Sequence, residues 1–416
     1  MEIAMNEKRY LGINGLGRIG KLSLWYHLLS RRYDGIVINI GREVGKSLED
    51  VIHTLQHDTT YGLLDHFLYG RSGKQCEMKI LDRATGLMEV EGLPVKILST
   101  ERSPKNIGWA ANQVRTVVDC TGKFLDPTLP ADHPAGSLKG HLASGAVKVI
   151  ASAPFKIKDP AQQDVTGHPT LIFGVNHLNF NAHLHHVISA ASCTTTALAH
   201  MLKPLLEKEE TSRILTASMT TVHAATNTQS VLDAVPASRA SDLRKNRSVM
   251  NNIIISSTGA GKTLEAVLPG IAGIGFMADS IRIPTNTVSL VVLNLTFHSE
   301  LDRQGEPIVN AGYINKVYQE AAMGAQKNLL FFSDRQNVSS DLLGYPAAVM
   351  IEGHETHTRT GFQTLTLDND HPGENKTHGK QHQVPVTHAK IFGWYDNEFG
   401  SYVRCLGLLT EFIESN

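Results

Sequence analysis

The chain reads as an α/β protein in two parts: a doubly wound parallel sheet, then an α+β part built on a mixed sheet. Three observations predict this. Short aliphatic runs alternate with helical stretches in the first half, the pattern of a parallel sheet covered on both faces. After Cys193 the pattern changes to long β-branched runs such as Ser289 to Phe297, set between helices such as Gly312 to Ala322. A length of 416 residues is also enough for two separate cores.

Each element has its own signal. Tyr10 to Asn14 predicts a strand, followed by a glycine turn and a helix over Lys21 to Ser30. Ile36 to Ile40 is nearly continuous in aliphatics, as a strand buried on both faces should be. Thr116 to Asp119 and Val147 to Ala151 continue the alternation. Leu198, Met201, Leu202 and Leu205 share one face of a helix expected over Ala197 to Glu207, and Leu406, Leu409, Phe412 and Ile413 do the same over Val403 to Glu414. The expected boundaries are 1–192, completed by a C-terminal helix in 397–416, and 193–396.

Composition excludes several classes. Lys+Arg 39 against Asp+Glu 40 leaves a formal net charge of −1, so nothing global attracts nucleic acid or a membrane. Met1 to Arg9 offers no apolar signal-peptide core. No apolar run reaches spanning length without Gly or Pro. Cys76, Cys120, Cys193 and Cys405 are scattered without C-x-x-C spacing, which fits a reducing compartment and argues against a structural zinc. A cytoplasmic, soluble protein is expected.

Three segments carry chemistry. Gly15-x-Gly17-x-x-Gly20 follows a strand and opens a helix, the context in which this spacing marks a Rossmann-type dinucleotide turn. Gly15 permits the tight turn, Gly17 lets a pyrophosphate approach, and Gly20 allows close helix–strand packing. The second segment, Ala191-Ser192-Cys193-Thr194-Thr195-Thr196, sets one thiol among hydroxyls just before a helix. The positive end of that helix favours the thiolate. In the third, Ser257-Thr258-Gly259-Ala260 forms a hydroxyl-and-glycine turn suited to an oxyanion. Ser256 to Thr263 also looks like a P-loop, but Ser256 stands where that pattern needs glycine.

These segments recur in order with others: Ile13-Asn14-Gly15-Leu16-Gly17-Arg18-Ile19-Gly20, Gly174-Val175-Asn176-His177, Thr220-Thr221-Val222-His223-Ala224, Ile281-Arg282-Ile283-Pro284-Thr285 and Trp394-Tyr395-Asp396-Asn397-Glu398-Phe399-Gly400. From about Tyr10 to the C-terminus, with insertions, the chain resembles the phosphorylating glyceraldehyde-3-phosphate dehydrogenase family. The resemblance implies that Cys193 attacks an aldehyde, that His223 assists, and that inorganic phosphate releases an acyl phosphate from a Cys193 thioester. It implies coenzyme contacts from Asn14, Gly15, Gly17, Arg18, Ile19, Gly20, Thr121 and Asn397. Thr226 and Arg282 match the pocket for the substrate's own phosphate. Ser192, Thr194, Thr258, Gly259 and Arg247 match the pocket for the attacking phosphate. A homotetramer is implied as well.

The chain departs from that pattern in places. Ile40 stands where an acidic residue would accept bonds from the adenosine ribose, and Arg42 follows two residues later. Isoleucine accepts no bond and repels no 2′-phosphate, and an arginine suits one. NADP, alone or beside NAD, is therefore expected, with Glu43 an alternative acceptor for an NAD ribose. Leu232-Asp233-Ala234 resembles the NADP-using photosynthetic branch in that short stretch. Ser401 replaces the tyrosine expected four residues after Asn397, with Tyr402 displaced by one, which puts nicotinamide stacking in question. Thr196 and Ala197 replace an asparagine and a second cysteine. Lys123 to Gly140 and Ala234 to Ser241 are longer than the pattern. So is Gly353 to His388, which carries His354, His357, His371, His378, His382 and His388 and reads as a solvated surface loop rather than a metal site. Other readings of the chain are a dehydrogenase for another phosphorylated aldehyde, such as erythrose 4-phosphate, and a non-catalytic regulatory or binding paralogue.

Overall fold

The computed structural model describes residues 8–159, 166–367 and 380–416. The chain divides into two compact units: Met1–Thr196 with Leu343–Ala348 and Asp396–Asn416, and Ala197–Leu342 with Val349–Tyr395.

In the first unit the chain runs through β1 (Tyr10–Asn14), α1 (Arg18–Ser30), β2 (Gly35–Asn39), α2 (Leu48–Gln56), the short pair β3 (His57–Asp58) and β4 (Gly62–Leu63), and α3 (Leu64–Tyr69). It continues through β5 (Met78–Asp82), β6 (Leu87–Val90), β7 (Leu93–Leu98), β8 (Val114–Asp119), α4 (Leu138–Ala143), β9 (Lys148–Ala151), β10 (Val187–Ser189) and the start of α5 (Cys193–Leu206). The strand order is β10-β9-β8-β1-β2-β7-β6-β5. Strands β10 to β7 pair in parallel, and β6 and β5 add an antiparallel edge. The chain winds away from β1 in both directions. Loops therefore diverge at its C-terminal end, the place where open parallel sheets bind ligands. Residues 35–39 of β2 are all buried, as their aliphatic run predicts. Helix α1 buries Leu22, Leu24, Trp25 and Leu28, each aliphatic side chain contributing roughly 1.5–3 kcal/mol.

The second unit adds α6 (Glu209–Ser212), β11 (Ile214–Ala224), β12 (Ile254–Ser257), α7 (Ala260–Val267), β13 (Gly275–Ile283), β14 (Ser289–His298), α8 (Ala311–Met323), β15 (Leu330–Ser333), β16 (Val349–Glu352), β17 (His357–Leu367) and β18 (Lys380–Tyr395). Its sheet runs β12-β13-β11-β14-β18-β16-β15, with β17 paired to β18. Only β11 with β13 and β15 with β16 run parallel, so this sheet is mixed, as expected. Alternation along β14 buries Val291, Leu293, Leu295 and Phe297 on one face. A helix approaches the sheet at Gly393, where a Cβ would lie 2.6 Å from the Met201 sulfur of α5.

The chain closes with α9 (Arg404–Ser415), which lies in the first unit. Leu406, Leu409 and Ile413 join the core beside α1. Gly407 permits the approach, since a Cβ there would sit 2.2 Å from the Tyr26 ring.

The stretch from Gly353 to His388 corrects the loop reading. Much of it is a two-stranded ribbon, β17 against β18, paired from His357↔Lys390 to Leu367↔Lys380. Its threonines and valines have high strand propensity, which the polar composition conceals. His371 and His378 lie outside the described residues. His382 and His388 are six positions apart on one strand, about 20 Å at strand rise. Among the described residues no three His, Cys, Asp or Glu side chains gather as metal ligands.

Candidate active site

The glycine turn connects β1 to α1. Gly15 has φ +97°, a conformation that glycine adopts without strain. A Cβ on Gly20 would lie 1.9 Å from the Gly15 carbonyl oxygen, whereas one on Gly17 would meet nothing within 4 Å. The turn is thus closed against the sheet at Gly20 and open to a ligand at Gly17. Gly17 is the N-cap of α1 with no side-chain cap, so the amides of Arg18 and Ile19 point outward at the positive end of a 13-residue helix. The Arg18 guanidinium does not join them. It is held by Asp58 at 2.9 Å and by Glu398, and these carboxylates raise its pKa although burial opposes them. What Arg18 offers a pyrophosphate is its backbone N–H.

Beneath the turn lies a buried polar relay that the sequence did not single out. The Trp109 indole donates to His141 Nδ1 at 2.9 Å, which leaves the His141 proton on Nε2, 3.1 Å from Asp119 Oδ2. Asn14 donates to the same oxygen at 2.7 Å and accepts from Asn39 at 2.8 Å. Thr121 donates to Asp119 Oδ1 at 2.6 Å. The relay crosses the C-terminal ends of β8, β1 and β2, and so fixes Asn14 and Thr121. A lone Asp119 after an apolar run gives no hint of it in sequence, because His141 and Asn14, which share its Oδ2, are 22 and 105 residues distant.

Asn397 is buried on the loop before α9. Its neighbour Asp396 bonds Tyr61 Oη at 2.5 Å and accepts from Gly344 N at 2.8 Å. Ser401, in the place expected for tyrosine, turns inward: its hydroxyl accepts from Asp396 N at 2.9 Å and donates to Ala347 O at 2.5 Å. Residues Phe399–Val403 form a π-turn. Tyr402 is buried within it, and its hydroxyl donates to Ala191 O at 3.3 Å. Tyr402 therefore reaches the turn that carries Cys193.

That turn is strained. Ala191 has φ +56°, a value uncommon outside glycine and asparagine. It directs the chain into α5, where Cys193 is the first helical residue. Ser192 caps the helix by accepting from Thr195 N at 3.2 Å. Cys193 is half-buried, with its sulfur 4.0 Å from the Thr194 hydroxyl. A thiol at this position lies at the positive end of the helix dipole, which favours the thiolate. Thr196 and Ala197 are buried, and no second thiol follows.

In the second unit His223 is the penultimate residue of β11, opposite Arg282 on the parallel strand β13. Residues opposite in a parallel pair share a face. Arg282 Nη1 lies 2.5 Å from His223 Nδ1 and 3.1 Å from Ala224 O. A guanidinium only donates, so Nδ1 accepts here and the imidazole proton sits on Nε2. Ala224 O, 2.8 Å from Nδ1, is the alternative partner. Burial first, and then the Arg282 charge, lower the His223 pKa to about 3. The ring is further set by Tyr395, edge-on at 6.0 Å, whose hydroxyl meets Thr221 at 2.7 Å. Ser289 accepts from Ala224 N at 2.9 Å, next to Val288 at φ +63°.

This neutral histidine has a consequence for stability. An unfolded histidine titrates near 6.5, so between about pH 6.5 and 3 the unfolded chain holds a proton that the folded one does not. The contribution is complete above pH 6.5 and is lost as pH falls through that window. Buried His27, also lowered to about 3, adds in the same direction. Urea midpoints of the wild type should drop between pH 7 and 4.5, and His223→Asn should flatten that slope. A pH-independent wild-type midpoint would contradict the assignment.

The anion residues are placed as follows. Thr226 is exposed and bonds Thr228 and Gln229. Thr258 and Gly259 precede α7: the Thr258 hydroxyl accepts from Ala260 N at 3.2 Å, and Gly259 is open on its Cβ side. Arg247 is largely exposed and pairs with Asp233 at 2.9 Å, so a phosphate there competes with a carboxylate of the lengthened loop. At the coenzyme end, Ile40 follows β2 half-buried, and Arg42 is exposed with no hydrogen bond or ion pair among the described residues.

Comparison with known proteins matches two family models. "Glyceraldehyde 3-phosphate dehydrogenase, NAD binding domain" covers residues 9–127, and "Glyceraldehyde 3-phosphate dehydrogenase, C-terminal domain" covers residues 192–367. Among curated relatives, a glyceraldehyde-3-phosphate dehydrogenase of Streptomyces coelicolor is 33% identical over 405 residues, covering 97% of this chain and 98% of its own. Glyceraldehyde-3-phosphate dehydrogenase 1 of Bacillus cereus is 31% identical over 398 residues, 96% of each chain. A glyceraldehyde-3-phosphate dehydrogenase of Borreliella burgdorferi is 31% identical over 408 residues, 97% of this chain and 99% of its own.

Proposed function

For a chain that belongs to the glyceraldehyde 3-phosphate dehydrogenase family, an NAD-dependent oxidoreductase family, we propose reversible phosphorylating oxidation of glyceraldehyde 3-phosphate to 1,3-bisphosphoglycerate through Cys193. One observation carries the reading: Cys193 opens a serine-capped helix, in a chain whose His223 is held neutral beside Arg282.

Arg282 and Thr226 anchor the substrate phosphate. As Arg282 turns to that phosphate, the neutral ring of His223 takes its other tautomer, with Nδ1–H donating to Ala224 O and the Nε2 lone pair free. Nε2 accepts the Cys193 thiol proton as the sulfur bonds to the aldehyde carbon, and passes it to the carbonyl oxygen, giving a thiohemiacetal. When the hydride leaves, Nε2 takes the hydroxyl proton and later releases it to solvent. The nicotinamide coenzyme, when bound, supplies the hydride acceptor. Ser192, Thr194, Thr258, Gly259 and Arg247 hold inorganic phosphate, whose oxygen attacks the Cys193 thioester. The carbon–sulfur bond breaks and the thiolate returns.

The residues present fit a dinucleotide: the turn is open at Gly17, and Asn397 sits on a loop braced by Asp396. They also favour NADP, alone or beside NAD, since Ile40 offers the ribose no acceptor and Arg42 is uncommitted. Steady-state turnover with glyceraldehyde 3-phosphate, phosphate and each coenzyme tests the function. Turnover that requires phosphate supports it, and none with either coenzyme overturns it.

A homotetramer belongs to the same reading. One face of the second sheet carries Ile255, Ile281, Val222, Leu290 and Trp394 in register across five strands. On that face Ile255 is 59% exposed and Met277 69%. Sheets with one apolar face left open pack against another layer, and here that layer is a second copy of the chain. Ile255→Asp with Met277→Asp should shift sedimentation from tetramer to a smaller species. A wild-type monomer at micromolar concentration would rule the assembly out.

A further inference from the structure

We propose that Tyr402 is a positioning residue for Cys193: its buried hydroxyl holds the Ala191 carbonyl and so keeps the left-handed turn that sets the thiol at the start of α5. The inference rests on the reading of Cys193 as nucleophile and concerns how this chain keeps it in place.

Ala191 carries an ordinary side chain at φ +56°. There the Cβ of an L-residue crowds a carbonyl oxygen, so the conformation persists where the surroundings hold it. Ser189 supports one side of the turn: its hydroxyl accepts from Ala191 N at 3.1 Å and donates to Ala153 O at 2.9 Å. Tyr402 supports the other, donating to Ala191 O at 3.3 Å. Ala191 has no exposed surface, so bulk water does not substitute for that donor. Ser192 and Cys193 follow directly in the chain. Rotation about φ of Ala191 therefore moves the helix cap and the sulfur together.

The aim of Tyr402 comes from the π-turn, a form that recurs at functional sites. Val403 N bonds Glu398 O, five residues back, at 2.7 Å. The Ser401 hydroxyl ties the turn to Asp396 N and Ala347 O. Gly400 lets it close, since a Cβ there would lie 2.3 Å from Tyr345 O. Residues 400–403 are all buried, so Ser401 and Tyr402 both face inward. Burial first, and then the nearby Cys120, Cys193 and Cys405, push the Tyr402 pKa well above its ordinary value. The hydroxyl thus stays a donor and takes no proton from Cys193; its influence on the thiol runs through Ala191. The ring shares a core with Ala190, against which Cys193 also packs. Tyr402→Phe removes the hydrogen bond and leaves that packing in place.

Alkylation of Cys193 by iodoacetamide, read on its own peptide by mass across a pH series, tests this without turnover. A relaxed turn withdraws the sulfur from the helix N-terminus, so Tyr402→Phe should alkylate about tenfold more slowly at neutral pH, with its midpoint about one pH unit higher. In turnover the loss should fall on kcat and leave KM for glyceraldehyde 3-phosphate nearly unchanged, because the phosphate anchors are untouched. Ala191→Gly supplies the rescue. Glycine takes a positive φ without the steric cost, so Ala191→Gly combined with Tyr402→Phe should recover most of the lost rate. Wild-type alkylation in Tyr402→Phe overturns the proposal. So does a loss that Ala191→Gly leaves unrepaired, which would place the effect in core packing instead of the turn. A wild type that alkylates in this way but oxidises no aldehyde would refute the dehydrogenase reading and leave the role of Tyr402 standing.

Discussion

Cys193→Ala is expected to abolish aldehyde oxidation and leave the fold intact. The side chain lost is small and half-buried at the first turn of α5, so no large cavity forms and the Ser192 cap remains. Without sulfur there is no carbon–sulfur bond and no thioester for phosphate to attack, and no neighbouring thiol stands in, because Ala197 occupies the next turn. His223→Asn should retain a residual rate, lower by roughly 10²–10⁴-fold, the usual contribution of a positioned acid or base. The check is kcat together with stoichiometric alkylation of Cys193. Near-normal turnover in Cys193→Ala would exclude the covalent route.

Arg282→Ala is expected to have the next largest effect, because one guanidinium is asked to do two things. On the proposed reading it anchors the substrate phosphate, and truncating a half-buried, hydrogen-bonded charge of this kind costs about 2–5 kcal/mol, or roughly 30- to 5,000-fold in kcat/KM. It also sets the His223 tautomer through Nδ1. Removing it should raise the His223 pKa, though not to the ordinary value, because burial is the larger cause of the depression. The comparison that separates the roles uses glyceraldehyde beside glyceraldehyde 3-phosphate. The variant should lose most of its discrimination between them, mainly through KM, and its acid limb should move to higher pH. Discrimination equal to that of the wild type would place the phosphate anchor elsewhere.

Local sequence carried much of this molecule because its signals are short-range. The glycine spacing reports a positive φ at Gly15 and a close approach at Gly20 that a Cβ would violate, and the aliphatic run of β2 reports burial on both faces. Cys193 among hydroxyls before a helical pattern marked the proposed nucleophile, and the structure adds Ser192 as the cap of its helix. The ribbon of β17 and β18 was missed because its strand propensity lies in threonines, and polar composition reads as loop until a partner strand pairs every residue.

What the sequence by itself determined is the family and the two-part α/β architecture, with the candidate reactive residues proposed from it, since each follows from residue type at fixed local spacing. What only the tertiary structure decided is how those residues are electrically set. The Arg18 guanidinium is spent on Asp58 and Glu398, Arg247 on Asp233, and Arg282 on His223. Ser401 faces inward, and Tyr402 reaches Ala191 through a π-turn. Each of these is a contact across 14 to 380 residues. Charge and hydrogen bonding depend on distance in space, which residue spacing along the chain does not specify.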